Sequence, residues 1–294
     1  MRVSGNSSRF RRSSIQQFLL SYLIDDVMNH GLKHRLRRIM PKAVKAHRIF
    51  RGPLRGQWIV TSWHDYPAAI LGYTESHLLN WFAKTVRSGE TWLDIGAHYG
   101  YTAIALSRLV GAGGRVFAFE PVVSTAGSLA TTRRLNGLTQ LKVLPFGLSD
   151  SKTLSIEALP ETRGMVDSTL RHGGKEKEGR AEERVGHDEA WYESVVVTCL
   201  DSLWGEICGE EDRIDGVKID VQGMEVCVLR GMMETLKRHR PKLVVEVHSN
   251  VDRSELLNLI ESAGYSRSAT PIEPVGGESE PQYFDDRSYL FQPI

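Results

Sequence analysis

Leu93-Asp94-Ile95-Gly96-Ala97-His98-Tyr99-Gly100 is the stretch that decides the architecture of this 294-residue chain. It closes an apolar run that begins at Thr91 and opens directly into Tyr101 to Val110, where apolar residues recur at helical spacing. A buried strand that turns into a helix through two glycines is a nucleotide-type turn. Gly96 and Gly100 let the backbone approach a ligand closely, and the free N–H groups at the helix start add polarity. The dinucleotide fingerprint Gly-x-Gly-x-x-Gly is absent, as is the P-loop signature. Asp94, two residues before the first glycine, could instead receive the ammonium of an amino-acid ligand.

Around this turn the chain alternates. Arg115 to Phe119, Leu141 to Gly147, Gly216 to Val221 and Lys242 to Val247 read as further buried strands, and Val122 to Leu135 and Met224 to Arg238 have helical periodicity. Short strand–helix–strand spacing implies right-handed crossovers, hence an α/β fold with a doubly wound, Rossmann-like parallel sheet. Ligands in such sheets bind at the carboxyl ends of the strands, near the reversal of strand order. The residues ending each strand therefore carry the chemistry.

The second strand ends in Glu120-Pro121, 20 residues after Gly100. A carboxylate there matches the vicinal hydroxyls of an adenosine ribose, whether in NAD or in S-adenosylmethionine. The third leads into Gly147-Leu148-Ser149-Asp150, which could read an adenine edge and is equally a plain turn. In the fourth, period-two alternation puts Lys218 and Asp220 on one face with Gln222 just beyond. A lysine in a central strand must find a carboxylate or reach solvent, because an unpaired buried ammonium is costly. The fifth aligns Glu246 with His248, where an imidazole suited to general-base work has a carboxylate beside it.

In this order, Asp94 to Thr102, Gly114 to Pro121, Gly147 to Asp150, Lys218 to Gly223 and Glu246 to His248 resemble the FkbM family of S-adenosylmethionine-dependent methyltransferases. The resemblance covers about residues 70 to 265 and includes Gly72-Tyr73-Thr74-Glu75. It implies a class I methyltransferase sheet whose last strand, Ser288 to Gln292, runs antiparallel. Asp94, Gly96, Ala97, His98 and Gly100 would then lie at the methionine end of S-adenosylmethionine, Glu120 and Pro121 at the ribose, and Asp150 at the adenine. Asp220 would face the methyl group, and Asp220, Glu246 and His248 are the candidates for removing a proton from the acceptor, expected to be a hydroxyl of a sugar or small molecule. Two residues depart from the family pattern: His98 replaces an Asn and Gln222 a Glu. Asn and His are both among the residues that tolerate positive φ, whereas Gln222 removes a carboxylate. Asp220, Glu246, His248 and His98 could ligate a divalent ion, but no compact ligand spacing supports one and no metal is expected.

Composition agrees with a folded enzyme: 41% of residues are apolar and 25% charged. No run approaches the roughly 18 apolar residues of a membrane span. Three widely spaced cysteines suggest neither a disulfide framework nor a cysteine zinc site, which favours a reducing, cytoplasmic setting. The net charge of +1 hides an asymmetry, since residues 1–56 hold thirteen Lys or Arg against Asp25 and Asp26. We read 1–56 as a basic, mostly helical extension, 57–90 as an entry strand and helix closed by Gly89, and 91–294 as the cofactor-binding domain. Within it, 161–193 is a charged insertion that could cover the cleft, followed by a strand from Ser194 to Leu200 and a turn at Asp201 to Trp204. The basic arm could dock on the body or on an anionic surface, and no specific nucleic acid is expected. Two other functions compete: an NAD-dependent dehydrogenase on the same sheet, and a non-catalytic binding module recruited by the arm.

Overall fold

The computed structural model describes residues 39–152, 154–160, 192–208, 213–273 and 280–294. Its central sheet has seven strands: β3 (Thr91–Ile95), β4 (Arg115–Phe119), β5 (Leu141–Leu144), β9 (Gly216–Ile219), β10 (Lys242–Val247), β11 (Thr270–Pro271) and β12 (Arg287–Phe291). Their order is β11-β12-β10-β9-β3-β4-β5. The strands from β10 to β5 are mutually parallel, and β12 runs antiparallel to both its neighbours, as expected for the last strand. Strand order reverses between β3 and β9, so their carboxyl ends open a crevice there.

Alternation along each strand splits the core in two. Trp92, Val116, Ala118 and Val244 face α2 (Ser76–Thr85) and α3 (Tyr101–Val110). Leu93, Ile95, Phe117, Phe119, Val217, Ile219, Leu243 and Val245 belong to the other core, with α6 (Glu225–Arg230), α7 (Met233–His239) and α8 (Arg253–Ser262). Asp94 and Lys218 are register partners on β3 and β9, which sets a charged pair among apolar neighbours. Strands β1 (Lys45–Arg48) and β2 (Trp58–Thr61) form an antiparallel hairpin across residue 56, so the entry strand pairs with the end of the basic extension. The edge of β2 is satisfied by α4 (Val123–Leu135) and its C-cap: Asn136 accepts from the Trp58 N–H at 2.8 Å and donates to its carbonyl at 2.7 Å, and Thr132 Oγ1 accepts from the Val60 N–H at 2.9 Å.

Several expected boundaries shift for local reasons. The strand expected over Leu141 to Gly147 divides around Pro145, which has no N–H to give a ladder, and resumes as β6 (Gly147–Leu148) in a separate sheet ordered β6-β8-β7. There β8 (Tyr192–Thr198) follows β7 (Ser155–Pro160). The expected turn at Asp201 is the first turn of α5 (Leu200–Cys208), and its carboxylate accepts from the Glu234 and Thr235 N–H groups at the start of α7. The single helix expected over Met224 to Arg238 breaks at Gly231. A Cβ there would lie 1.9 Å from the Ser149 carbonyl oxygen, so this close approach of two backbones requires glycine. Helix α2 ends at Thr85 with Val86 extended, three residues before Gly89 takes up its positive φ. The helical part of the basic extension expected before residue 41 lies almost wholly outside the described residues, as does the insertion expected over 161–193 except for Tyr192 and Glu193, which begin β8. No described helix is long and apolar enough to cross a membrane.

Candidate active site

A cavity of about 320 Å³ lies over the carboxyl ends of β3, β4 and β9, walled by β6, β8 and the Tyr66–Glu75 segment that contains α1 (Pro67–Leu71). Its floor is the turn after β3. Gly96 has φ 79°, and a Cβ there would meet the Asp220 carbonyl oxygen at 1.8 Å, so glycine lets the loop sit directly on the end of β9. His98 holds φ 49°, the conformation tolerated by the Asn it replaces. Gly96, Ala97 and His98 line the cavity as expected. Gly100 does not: a Cβ there would strike Leu129 Cδ1 at 2.0 Å, so this glycine serves the packing of α3 on α4.

Glu120 and Pro121 also line the cavity. The Glu120 carboxylate is buried, and backbone amides hold both of its oxygens: Oε2 accepts from the His98 N–H at 2.9 Å and Oε1 from the Val122 N–H at 3.0 Å. The β3 turn and the end of β4 are thus tied together through one side chain. Burial pushes Glu120 up to about 7, against the pull of the Val122 and His98 amides.

Beneath the crevice, Lys218 resolves the problem its sequence position poses. Its buried Nζ lies 3.0 Å from Asp220 Oδ2, 3.4 Å from Asp94 Oδ1 and 3.2 Å from the Gly96 carbonyl oxygen. Burial disfavours the ammonium, but Asp220 and Asp94 outweigh it and hold the lysine above its ordinary range. Burial likewise works to raise Asp220, and the Lys218 charge overrides it, so Asp220 stays ionised below the usual carboxylate range. Asp94 is fully buried, accepts from Thr102 Oγ1 at 2.7 Å and is not among the described residues lining the cavity. Its carboxylate meets Lys218 and the Thr102 hydroxyl of α3.

Asp220, Glu246 and His248 come together. His248 Nε2 lies 3.6 Å from Asp220 Oδ1 and 3.6 Å from Glu246 Oε1. Its Nδ1 pairs with the buried Glu225 Oε1 at 2.7 Å, an oxygen that also accepts from the Val221 and Gly223 N–H groups. Burial pulls the imidazole down, yet Glu225, Asp220 and Glu246 together carry it to about 9. Gln222 Nε2 is 2.8 Å from His248 Nε2, a contact made by amide donation to a neutral ring or, with the amide turned over, by its oxygen to an imidazolium. Glu246 rises to about 8 through burial and the charges of Asp220 and Glu75.

Asp220, Gln222 and Glu246 line the cavity, whereas His248 stands behind them. Asp150 lies outside the lining and pairs with Arg230 at 3.3 Å, while its neighbour Ser149 is the polar residue at the wall. Sequence reasoning assigned no role to Tyr66, Glu75, Tyr101 and Thr102, which complete the lining, or to Glu225 behind His248. The available signals were the quoted stretches Gly72 to Glu75 and Asp94 to Thr102, which contain Glu75, Tyr101 and Thr102. Burial, then Asp220, raise the Glu75 carboxyl above its usual range. The Tyr101 hydroxyl is buried without a hydrogen-bond partner among the described residues.

Comparison with known proteins gives the following. A family model described as a methyltransferase FkbM domain matches residues 94–267. No curated protein matches the sequence. Among solved structures, the methyltransferase FkbM of Methylobacillus flagellatus KT is 16% identical with a TM-score of 0.44, over 72% of this chain and 50% of its own. This chain thus spans half the length of that relative. The O-methyltransferase TomG of Streptomyces achromogenes, in complex with SAM, is 16% identical with a TM-score of 0.43, over 98% and 100% of the two chains. Aeropyrum pernix fibrillarin, with natively bound S-adenosyl-L-methionine, is 11% identical with a TM-score of 0.42, over 92% of this chain and 86% of its own.

Proposed function

Because the chain belongs to the FkbM methyltransferase family and is an S-adenosylmethionine-dependent methyltransferase, we propose that it methylates a hydroxyl of a sugar or small-molecule metabolite. The residues fit the cofactor. The cavity volume falls in the range of cofactor pockets, and its wall offers the carboxyl groups of Glu75, Glu120 and Glu246 as hydrogen-bond partners beside the ionised Asp220. The Tyr101 hydroxyl, which has no described partner, is a further group that a bound ligand could satisfy.

Glu120 would take the ribose hydroxyls with the lone pairs its two backbone donors leave open, and Gly96, Ala97 and His98 would hold the methionine end. When bound, the cofactor supplies a methyl group activated by the positive charge on sulfur. Asp220, fixed by Lys218, would place negative charge toward that end of the cavity. Of the candidates Asp220, Glu246 and His248, Asp220 is ionised and lines the cavity, so it would receive the acceptor hydroxyl's proton with the other two beside it, and alignment by the surrounding walls contributes much of the acceleration.

One observation carries this reading: the carboxylate of Glu120 and the cluster around Asp220 open onto the same cavity. Calorimetric titration with S-adenosylmethionine tests it. We expect binding by the wild type that Glu120→Ala abolishes or strongly weakens. Absence of binding heat from the folded wild type would sink the reading. A search of cell extract for products that gain a labelled methyl group then identifies the acceptor and the atom methylated.

A further inference from the structure

We propose that Asp220, Glu246 and His248 form a site for one divalent first-row transition metal ion, of the Mn²⁺, Fe²⁺ or Zn²⁺ class, at the acceptor end of the cavity. The inference rests on the methyltransferase reading only for the role of the ion. Each residue offers one ligand atom, and the three atoms lie within 4.8 Å of one another. An ion with bonds of about 2.1 Å has neighbouring ligand atoms roughly 3.0–3.4 Å apart in octahedral or tetrahedral geometry. The two 3.6 Å separations from His248 Nε2 therefore need to contract by only a few tenths of an ångström.

The supporting contacts prepare the ligands one by one. Asp220 gives Oδ2 to Lys218 and keeps Oδ1 toward His248, and Glu246 accepts from Ser288 Oγ at Oε2 and keeps Oε1 toward the same nitrogen. Glu225 holds Nδ1 of His248 and is itself held by two backbone amides, so the ring can point only Nε2 at the two acids. A carboxylate behind a ligating imidazole fixes its tautomer and strengthens it as a ligand. One imidazole with two carboxylates suits the middle of the first transition row better than the all-oxygen sites that Mg²⁺ and Ca²⁺ prefer. Gln222 stands at the same point, its amide nitrogen 2.8 Å from His248 Nε2 and 3.4 Å from Asp220 Oδ1. Turned over, that amide presents an oxygen as a fourth ligand. The ligands come from the ends of β9 and β10, far apart in the chain, which is why no compact ligand run marks them in the sequence. An ion so held keeps positions open for an acceptor oxygen and makes its proton easier to lose.

The test titrates metal-stripped full-length protein with Mn²⁺, read by electron paramagnetic resonance and calorimetry. One Mn²⁺ per chain, displaced by Zn²⁺, is expected. Glu246→Gln and His248→Asn should each weaken binding by at least about 100-fold, and Glu225→Gln, a positioning change, by roughly 10-fold. Circular dichroism reports folding, and the near-isosteric Glu246→Gln carries the test if His248→Asn does not fold. Failure of the folded wild type to bind Mn²⁺ or Zn²⁺ overturns the proposal, as does unchanged binding by Glu246→Gln, which would place the ion elsewhere. Metal-free protein that binds S-adenosylmethionine while taking up no Mn²⁺ overturns this inference alone. Protein that takes up Mn²⁺ at these residues but never binds S-adenosylmethionine supports the ion site and overturns the methyl-transfer reading.

Discussion

Glu120 and Glu246 end parallel strands of one sheet and line one cavity, yet they are held in opposite ways. Both oxygens of Glu120 are gripped by main-chain amides. Among the described residues, Glu246 meets side chains: Ser288, His248 and, through charge, Asp220, Glu75 and Lys218. The end of the cavity assigned to the cofactor is thus fixed by backbone, which every sequence of this fold supplies. The opposite end is fixed by side-chain identity, which substitution can retune.

The largest effect should come from the side-chain end. Asp220→Asn is expected to lower turnover by about 10²–10⁴-fold, read in a labelled-methyl assay, and near-normal turnover would break the contrast. Lys218→Met strips the partner from the buried Asp94 and the partly buried Asp220 and should cost about 3–5 kcal/mol in urea unfolding. Glu120→Gln keeps the shape but removes the charge, so cofactor affinity should fall by roughly 10–100-fold, in line with charged hydrogen bonds worth ~1.5–3 kcal/mol.

The pH response sharpens the same point. Glu120 keeps its proton to about 7 in the folded protein, against an ordinary 4.5. Cofactor affinity should therefore rise as pH climbs through about 7, and this step should vanish in Glu120→Gln. Without cofactor the folded state binds the extra proton between those two values, so the Glu120 contribution to stability is full below 4.5 and lost as pH rises to about 7. Smallest of all is Asp150→Ala. Its partly exposed pair with Arg230 is worth less than about 1 kcal/mol, and calorimetry should find cofactor affinity nearly unchanged. A large loss would return Asp150 to the adenine.

Much of this was legible because short-range rules dominate it. Thr91–Ile95, Arg115–Phe119 and Lys242–Val247 are strands with the bounds their apolar runs suggest, and alternation alone puts Lys218 beside Asp220 and Glu246 beside His248. What failed depends on contacts between distant segments. The break at Gly231 needs Ser149, 82 positions earlier, to press against it. The buried partner of His248 is Glu225, a residue whose sequence position at a helix start looks solvated. A turn of Gly, Leu, Ser and Asp does not encode that Ser149 and not Asp150 faces the cavity. Nor does the first loop encode the register pairing that sets Asp94 against Lys218.

The position of β12 has a consequence for the order in which the enzyme can be completed. It pairs on one side with β10 and on the other with β11, the only described strand partner that β11 has, and it brings Ser288 to Glu246. During synthesis β11 leaves the ribosome first and must wait, unpaired, until residues 287–291 emerge and slot in beside it. Glu246 therefore gains its Ser288 contact later than any of its other described partners named above, all of which precede β11 in the chain.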